Sequence, residues 1–487
     1  MTKRRITFLL VLAMLLAMVA LPAAAQSWPD PGTGSTYTEL VNKTADAATA
    51  QLTYYDTSGG VHQGPQKTIP GNGSIAIDPD SVQLPQNFVG AGVVSSNQPL
   101  ASVVSTKWTG GPGDGFQSAL YSGVSAGSSK ICFPSLFKAT PIVSSFAVQN
   151  TGTAPADIKI TYFKRDGTNE GQYTDTIPAG AQHTYDLRNA GTGVPNFPTG
   201  WDGSAIVEVT NGQTVAGVGV INQNGRSSAY NAADCSNASG ATTLVVPSQY
   251  RVYNDNGSPN DRTKWHWILL SALNIQNLEG SAATVDVQYI PRSAGNNGTT
   301  LHISIPAFSS AGLNTRGGYN GDPTVFDVLG GGWDGTVKIT SDKAVVATVI
   351  TQWFRGTGPE SGYYAAANTN SSATKFFVPN IRRVVSGGNW QEYSAVIVQN
   401  IGSSATNVTT KYYDRSGNLV HTYTESIPAG VGVGYNTKGG TGGTSALGDN
   451  FEGHAVVESD GQPLAVVLNS ITRTPGFATG TTNGVQE

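Results

Sequence analysis

Val148-Gln149-Asn150-Thr151-Gly152-Thr153-Ala154-Pro155-Ala156-Asp157, then Ile158-Lys159-Ile160-Thr161-Tyr162, and after a turn Ile177-Pro178-Ala179-Gly180, is the stretch that decides the fold. Apolar residues alternate with polar ones up to Asn150 and again up to Tyr162, which is the period of a strand with one buried face. The same grammar occurs four times. An Asn is followed twelve residues later by a Tyr at Asn42/Tyr54, Asn150/Tyr162, Asn277/Tyr289 and Asn400/Tyr412. Ile-Pro pairs follow at Ile69-Pro70, Ile177-Pro178, Ile305-Pro306 and Ile427-Pro428, with Tyr-to-Pro separations of 16, 16, 17 and 16. An aromatic-x-Gly then opens another run: Phe88/Gly90, Trp201/Gly203, Trp333/Gly335 and Phe451/Gly453. Four ordered anchors recurring four times mark duplicated modules.

Each module reads as an antiparallel sheet structure. Counting back two and four residues from each Asn gives Leu40/Thr38, Val148/Phe146, Ile275/Leu273 and Val398/Val396, which share one strand face. Asp56-Thr57-Ser58-Gly59, Lys164-Arg165-Asp166-Gly167 and Asp414-Arg415-Ser416-Gly417 have tight-turn chemistry. A calcium loop at Asp414, Ser416 and Asn418 lacks the bidentate Glu such a loop needs. Roughly seven short strands per ~100 residues, without a convincing helix, predict an all-β chain of four tandem two-sheet β-sandwich modules. The modules are placed at 26–128, 129–241, 242–373 and 374–487, the third with an insertion near 251–268. Cys132-Phe133-Pro134, Val245-Val246-Pro247 and Phe377-Val378-Pro379 precede repeats two to four and are placed at module junctions. Repeat one has Trp28-Pro29-Asp30-Pro31 in that place and no counterpart, which predicts an open sheet edge there.

Lys3-Arg4-Arg5, an apolar run from Ile6 to Leu21 and Ala23-Ala24-Ala25 form a signal-peptide pattern, 1–25, with cleavage after Ala25. The apolar run is short for a bilayer span, and the mature chain has no transmembrane segment by this reading. Charged residues are 12% of the chain and Gly numbers 60. Losing three basic leader residues leaves 25 Lys and Arg against 32 Asp and Glu, about −7, which argues against nucleic acid as a partner. Export permits a disulfide between the two cysteines, Cys132 and Cys235, which flank the second repeat; two unpaired thiols are the alternative.

The remaining candidates are weighed against blander readings. Gly123-Val124-Ser125-Ala126-Gly127 matches a nucleophile-elbow pattern but lies in a Gly/Ser-rich junction. The six histidines, His62, His183, His266, His302, His421 and His454, show no metal-ligand spacing and no equivalence between repeats. Asn254-Asp255-Asn256 and Asn260-Asp261 offer calcium oxygens or an ordinary Asx turn. Trp108, Trp353, Trp265 and Trp267 are candidate ligand-contact aromatics for sugar rings, with packing at a module junction as the alternative. Trp201, Trp333, Phe88 and Phe451 read as core. No cofactor or metal site is called, and no catalytic residue.

Val148 to Asp157 with Ile177-Pro178-Ala179-Gly180, and Val398-Gln399-Asn400-Ile401-Gly402-Ser403-Ser404-Ala405 with Ile427-Pro428-Ala429-Gly430, resemble bacterial extracellular immunoglobulin-like modules, the cell-adhesion-related CARDB modules among them. Repeats one and three depart from this outline at Asn42-Lys43-Thr44 and Asn277-Leu278-Glu279-Gly280. The resemblance implies a secreted or cell-surface structural role and brings no catalytic residues. The expectation is a non-enzymatic adhesive or structural protein that meets cell-surface or matrix components. The alternatives are a carbohydrate-binding protein for extracellular polysaccharide and a self-assembling filament subunit.

Overall fold

A computed structural model describes residues 28–111, 116–236, 242–293, 295–355, 358–369, 373–473 and 478–487; the signal peptide placed at 1–25 lies outside them. The described chain is strands joined by turns and a few short 3-10 segments. Four sandwich modules appear in the order of the repeats. In module 2 the strand order is Asn169–Ile177, Ala156–Lys164, Trp201–Val209, Lys130–Ala139, Ile142–Asn150, Val215–Gln223, Arg226–Asn231, all antiparallel, with Gln182–Asp186 on the side of Ile142–Asn150. Lys130–Ala139 is an entry strand that carries the Cys-Phe-Pro segment. It pairs with Trp201–Val209 along its length and turns into Ile142–Asn150 at Ala139, so it joins the two layers.

Among the described residues, modules 2 to 4 have nine strands each and module 1 has seven. The expected seven omitted two strands per module: the entry strand, taken as a connector, and a two-residue tail strand that pairs with it. Among the described residues module 1 has neither. Its layers are consequently separate sheets, Val61–Ile69/Ala48–Asp56/Gly90–Ser96 and Ser74–Ile77/Gly32–Asn42/Leu100–Gly110/Phe116–Ser122. Its own core is small: Leu40, Ala48, Ala50, Leu52, Ile69, Ile77 and Val82.

The repeated anchors have physical causes. Each anchor Asn is fully buried. In module 2 the Asn150 amide donates to Ala154 O (2.8 Å) and Ile177 O (2.9 Å), and Oδ1 accepts from Gly152 N (2.8 Å). Asn42, Asn277 and Asn400 make the corresponding bonds to Ile69, Ile305 and Ile427 carbonyls. One side chain thus closes its own turn and fastens it to the Ile-Pro strand end, whose Pro gives up a ladder donor there. In the aromatic-x-Gly motif the ring folds back over the glycine: a Cβ on Gly203 would lie 2.8 Å from Trp201 Cζ2, and on Gly335 2.6 Å from Trp333 Cζ2. Tyr162 and Tyr412 hydroxyls donate to Gly193 O and Gly442 O at 2.7 and 2.9 Å. Trp201, Trp333 and Phe451 are buried. Phe88, also read as core, is only half-buried, because module 1 has no entry strand to cover that side. Asn150→Ala is expected to lower stability by about 2 kcal/mol, since the buried Ile177 carbonyl loses its partner along with the part-buried Ala154 carbonyl and Gly152 amide. Denaturant unfolding of the variant beside the parent measures it.

The modules do not run out as a string. The last long strand of each, Phe116–Ser122, Arg226–Asn231, Gly358–Ala365 and Ala478–Asn483, packs against that of the module before and the module after, and the fourth packs against the first. The four modules therefore close into a ring with these strands at its axis. Asn231 substitutes for a peptide group on Ser122, donating to Ser122 O (2.7 Å) and accepting from its N (3.0 Å). Asn483 does the same to Ala365, at 2.8 and 3.0 Å. Ring closure is sealed by Ser122 Oγ with Thr482 Oγ1 (2.8 Å) and Asn483 O (2.9 Å). Small residues hold one shared strand position, Ala119, Ser228, Gly362 and Gly480, counted back from the strand ends.

At the rim, the turn after each anchor Tyr packs on the Ile-Pro turn of the next module. Gly59 (φ +88°) would place a Cβ 2.9 Å from Pro178 Cβ, and Gly167 (φ +90°) 2.8 Å from Pro306 Cβ. Arg292 approaches Gly432, and Ser74 N donates to Arg415 O (3.0 Å) across the closure. Each entry strand also leans on the next module: Lys130–Ala139 on His266–Asn277 and Val345–Arg355, Thr243–Asn254 on Asn389–Asn400 and Leu464–Thr472, and Lys375–Ser386 on Gly32–Asn42 and Leu100–Gly110.

Candidate functional site

The polar side chains that group most densely do so at module junctions. Arg165, Arg292 and Arg415 each stand three residues after an anchor Tyr, and Asp202, Asp334 and Glu452 each directly follow an anchor aromatic. They pair within their modules at 2.6, 2.8 and 3.0 Å. Arg165 reaches on to Asn274 Oδ1 and Ser310 Oγ of module 3, both at 2.9 Å. At the closure Arg415 Nη1 lies 2.8 Å from Glu39 Oε1 of module 1, and Arg382 also reaches Glu39. Burial holds the Glu39 carboxyl above the usual carboxylate range, against the downward pull of the two guanidiniums. A cavity of about 80 Å³ beside it is lined by Tyr37, Glu39, Lys107, Arg382 and Glu392. Nearer the axis, Glu360 has a fully buried side chain and accepts from Arg473 Nη1 (3.0 Å) and from Thr479. The Arg and acid offsets recur in repeats two to four and are a signal of these junctions in the sequence.

His454 stands at the register position of Ser204 and Thr336, which meet the next module, and its ring stacks on Tyr413 at 5.3 Å. Burial lowers its pKa to about 4, against a small opposing pull from Asp414. A histidine with a depressed folded pKa binds fewer protons folded than unfolded. Its contribution is intact above about pH 6.5 and is lost as pH falls towards 4, by about 3 kcal/mol. The melting temperature is expected to fall across that window, and less so in His454→Gln.

The other sequence candidates are placed as follows. Cys132 and Cys235 are joined in a disulfide, Cα–Cα 6.0 Å, tying the tail of module 2 to its entry strand. They pack with Phe163, Ile206, Leu278, Ala344 and Val346 at the junction with module 3. Trp353 and Trp267 are buried; Trp108 and Trp265 are half-buried. Trp108 lies against Gly34 on the neighbouring strand. Trp265 stacks on Tyr253 (4.0 Å, 9° between planes), and with Trp267 these rings surround the guanidinium of Arg251 at 4.9 to 5.5 Å. Arg251 is fully buried and bonded to Asp327 at 2.5 Å, so the aromatic cage of the module 3 insertion already holds a cation of its own. Arg383 under Trp390, and Lys138 near Trp28, repeat this pairing four residues after the entry Pro.

In the Asn254–Asp261 loop the side-chain oxygens serve turn amides: Asn254 accepts from Asn256 N, Asp255 from Gly257 N, and Asp261 from Thr263 N. Both Asp414 oxygens are taken by Asn418. Among the described residues no three His, Cys, Asp or Glu side chains group as metal ligands. Ser125 is exposed in an irregular linker between modules 1 and 2. One sequence reading needs correcting: His62 and His421 are equivalent, facing the anchors Tyr54 and Tyr412 across their hairpins. A bulge at Tyr412/Tyr413 makes the offset nine residues in place of eight and hid the match.

The edge left by the missing entry strand is Gly90–Ser96. It pairs with Ala48–Asp56 on one side only, and Val93 and Val94 are 36% and 37% exposed. It carries no charge and no Pro, the usual protections of an edge strand.

No family model matches the chain, and no curated protein matches it. Among solved structures, one of Thermotoga maritima 1070 aligns over 24% of this chain and 97% of its own, at 16% identity and a TM-score of 0.20. The Anabaena sensory rhodopsin transducer aligns over 19% and 82%, at 17% identity and a TM-score of 0.16. Dimeric latent PorU from Porphyromonas gingivalis aligns over 79% of this chain and 32% of its own, at 11% identity and a TM-score of 0.14. Likenesses at these scores carry no argument about this chain.

Proposed function

We propose that this is an exported, non-enzymatic structural or adhesive protein, whose four sandwiches form one rigid body that meets cell-surface or matrix components outside the cell. The observation that carries the reading is the closure of module 4 on module 1, by the axial strands and the Arg415–Glu39 pair. Arg165, Arg382, Arg415 and Glu39 are engaged at module junctions. A ring also fixes the directions in which the module rims face, so contacts on several modules act together on one surface. The copies thus face different ways on one body.

The test is a binding array of glycans, matrix preparations and bacterial surfaces probed with the purified mature chain. Retention on a surface or matrix, unchanged in Trp265→Ala and Trp108→Ala, is the expected result; retention nowhere contradicts the reading. The carbohydrate alternative rests on Trp265, which is half-exposed above Tyr253 beside Arg262. Glycan spots that bind the parent and fail with Trp265→Ala would select it.

A further inference from the structure

We propose that module 1 is a strand acceptor: the gap between Gly90–Ser96 and module 2 takes an extended segment of a separate polypeptide, apolar at its first, third and sixth positions with Pro at the fourth. This goes beyond the adhesive reading and does not depend on where the ring operates.

The other three modules show what the gap holds when filled. There the corresponding place is taken by Ile131-Cys132-Phe133-Pro134-Ser135-Leu136, Leu244-Val245-Val246-Pro247-Ser248-Gln249 and Phe376-Phe377-Val378-Pro379-Asn380-Ile381. The first and third residues of each enter the core of their own module; Leu136 and Ile381 do so from the sixth position. Val94 stands at the register position of Val207, Ile339 and Val457, each two residues before its anchor Tyr across the ladder. Those three are 0% exposed, and Val94 is 37% exposed.

The far wall of the gap belongs to module 2. Entry strands lean on the next module, and the residues beneath them are covered: Thr348 0%, Val467 1% and Val103 2% exposed. Their equivalent in module 2, Val218, is half-exposed, as are Ala216 and Val220 on the same face. One absent strand thus leaves an uncovered edge in module 1 and an uncovered apolar face in module 2. A single inserted strand would cover both, as Lys130–Ala139 does between modules 2 and 3.

The first described residues, Trp28 and Pro29, are committed elsewhere. The Lys138 ammonium of module 2 lies 5.9 Å over the Trp28 ring, and Arg188 Nη1 donates to Pro29 O (3.5 Å). A second copy is a poor donor, since its three segments of this pattern are core strands of its own modules.

The probe is a synthetic peptide with the sequence of Lys375–Arg382, titrated by fluorescence anisotropy into the purified mature chain. Saturable one-to-one binding is expected, with affinity falling about tenfold or more in Val94→Lys and in Val218→Asp, as for an apolar contact at the centre of an interface. A control peptide with Asp at the three core-facing positions should not bind, and Val124→Lys, on the exposed linker, should change nothing. Thermal melts confirm that each variant folds, and Val94→Thr, a smaller polar change on the same strand face, is the substitute should Val94→Lys fail to. Absence of saturable binding overturns the proposal, as does binding indifferent to Val94→Lys and Val218→Asp. A concentration-dependent dimer that Val94→Lys abolishes, without peptide binding, overturns it in favour of a second copy.

Discussion

Gly480→Val is expected to destabilise the chain by about 3 kcal/mol and to loosen the contact between modules 4 and 1. Gly480 sits in the fourth axial strand, Ala478–Asn483, against the first, Phe116–Ser122. A Cβ there would overlap Leu120 Cδ1 and come within 3.0 Å of Leu120 N. The leucine tip alone can swing aside, but the backbone nitrogen can yield only if the strands part. Overpacking a filled interior costs roughly 1–3 kcal/mol, and the upper end applies where backbone must move. Gly362→Val repeats the experiment one junction earlier, where the added carbon would meet Thr481 Cβ at 2.6 Å and its N at 3.0 Å. Urea unfolding, with hydrogen exchange on the axial strands, reads both variants. If either leaves stability and exchange unchanged, the axial strands are not packed as described.

The second large effect is expected at Arg415. Arg415→Met removes the closer of the two cations on Glu39, whose side chain is 6% exposed, and also strips Glu452 of a partner. Leaving a buried carboxylate short of its cation costs about 3–5 kcal/mol; with Arg382 still in reach, about 3 is expected. The loss arises from the orphaned charge and not from the missing methylenes. Glu39→Gln in the Arg415→Met background should therefore recover much of it. Equal stabilities for the single and double variants would show that the pair does not hold the closure.

These sites divide what the sequence made legible from what it did not. The four anchors were readable because each is local chemistry: the Asn clamp, the Ile-Pro strand end and the ring folded over glycine are satisfied within one module and recur with it. The missing entry strand of module 1 was readable for the same reason, from Trp28-Pro29-Asp30-Pro31 standing where the others have an apolar-Pro segment. The ring was not. Gly362 and Gly480 look like ordinary strand glycines until another module's backbone lies against them, and Glu39 looks like a surface residue until Arg415 arrives from 376 positions away. Some contacts between modules do recur, such as the Arg and acid offsets, but others are made by different residue types at each junction, an Asn–backbone pair at two and a disulfide cluster at another, and no repeat shows by itself which module its partner belongs to. The half-burial of Phe88 and the equivalence of His62 with His421 were missed through a neighbouring strand's absence and a one-residue bulge, neither of which a spacing count sees.

Whether four modules form a ring or a string is settled most directly by small-angle X-ray scattering of the monomeric mature chain. A closed ring of this length is expected to have a radius of gyration near that of a compact body, about 23 Å by the usual size scaling. A radius roughly twice that, with the elongated distance distribution of four sandwiches in a row, would contradict the account.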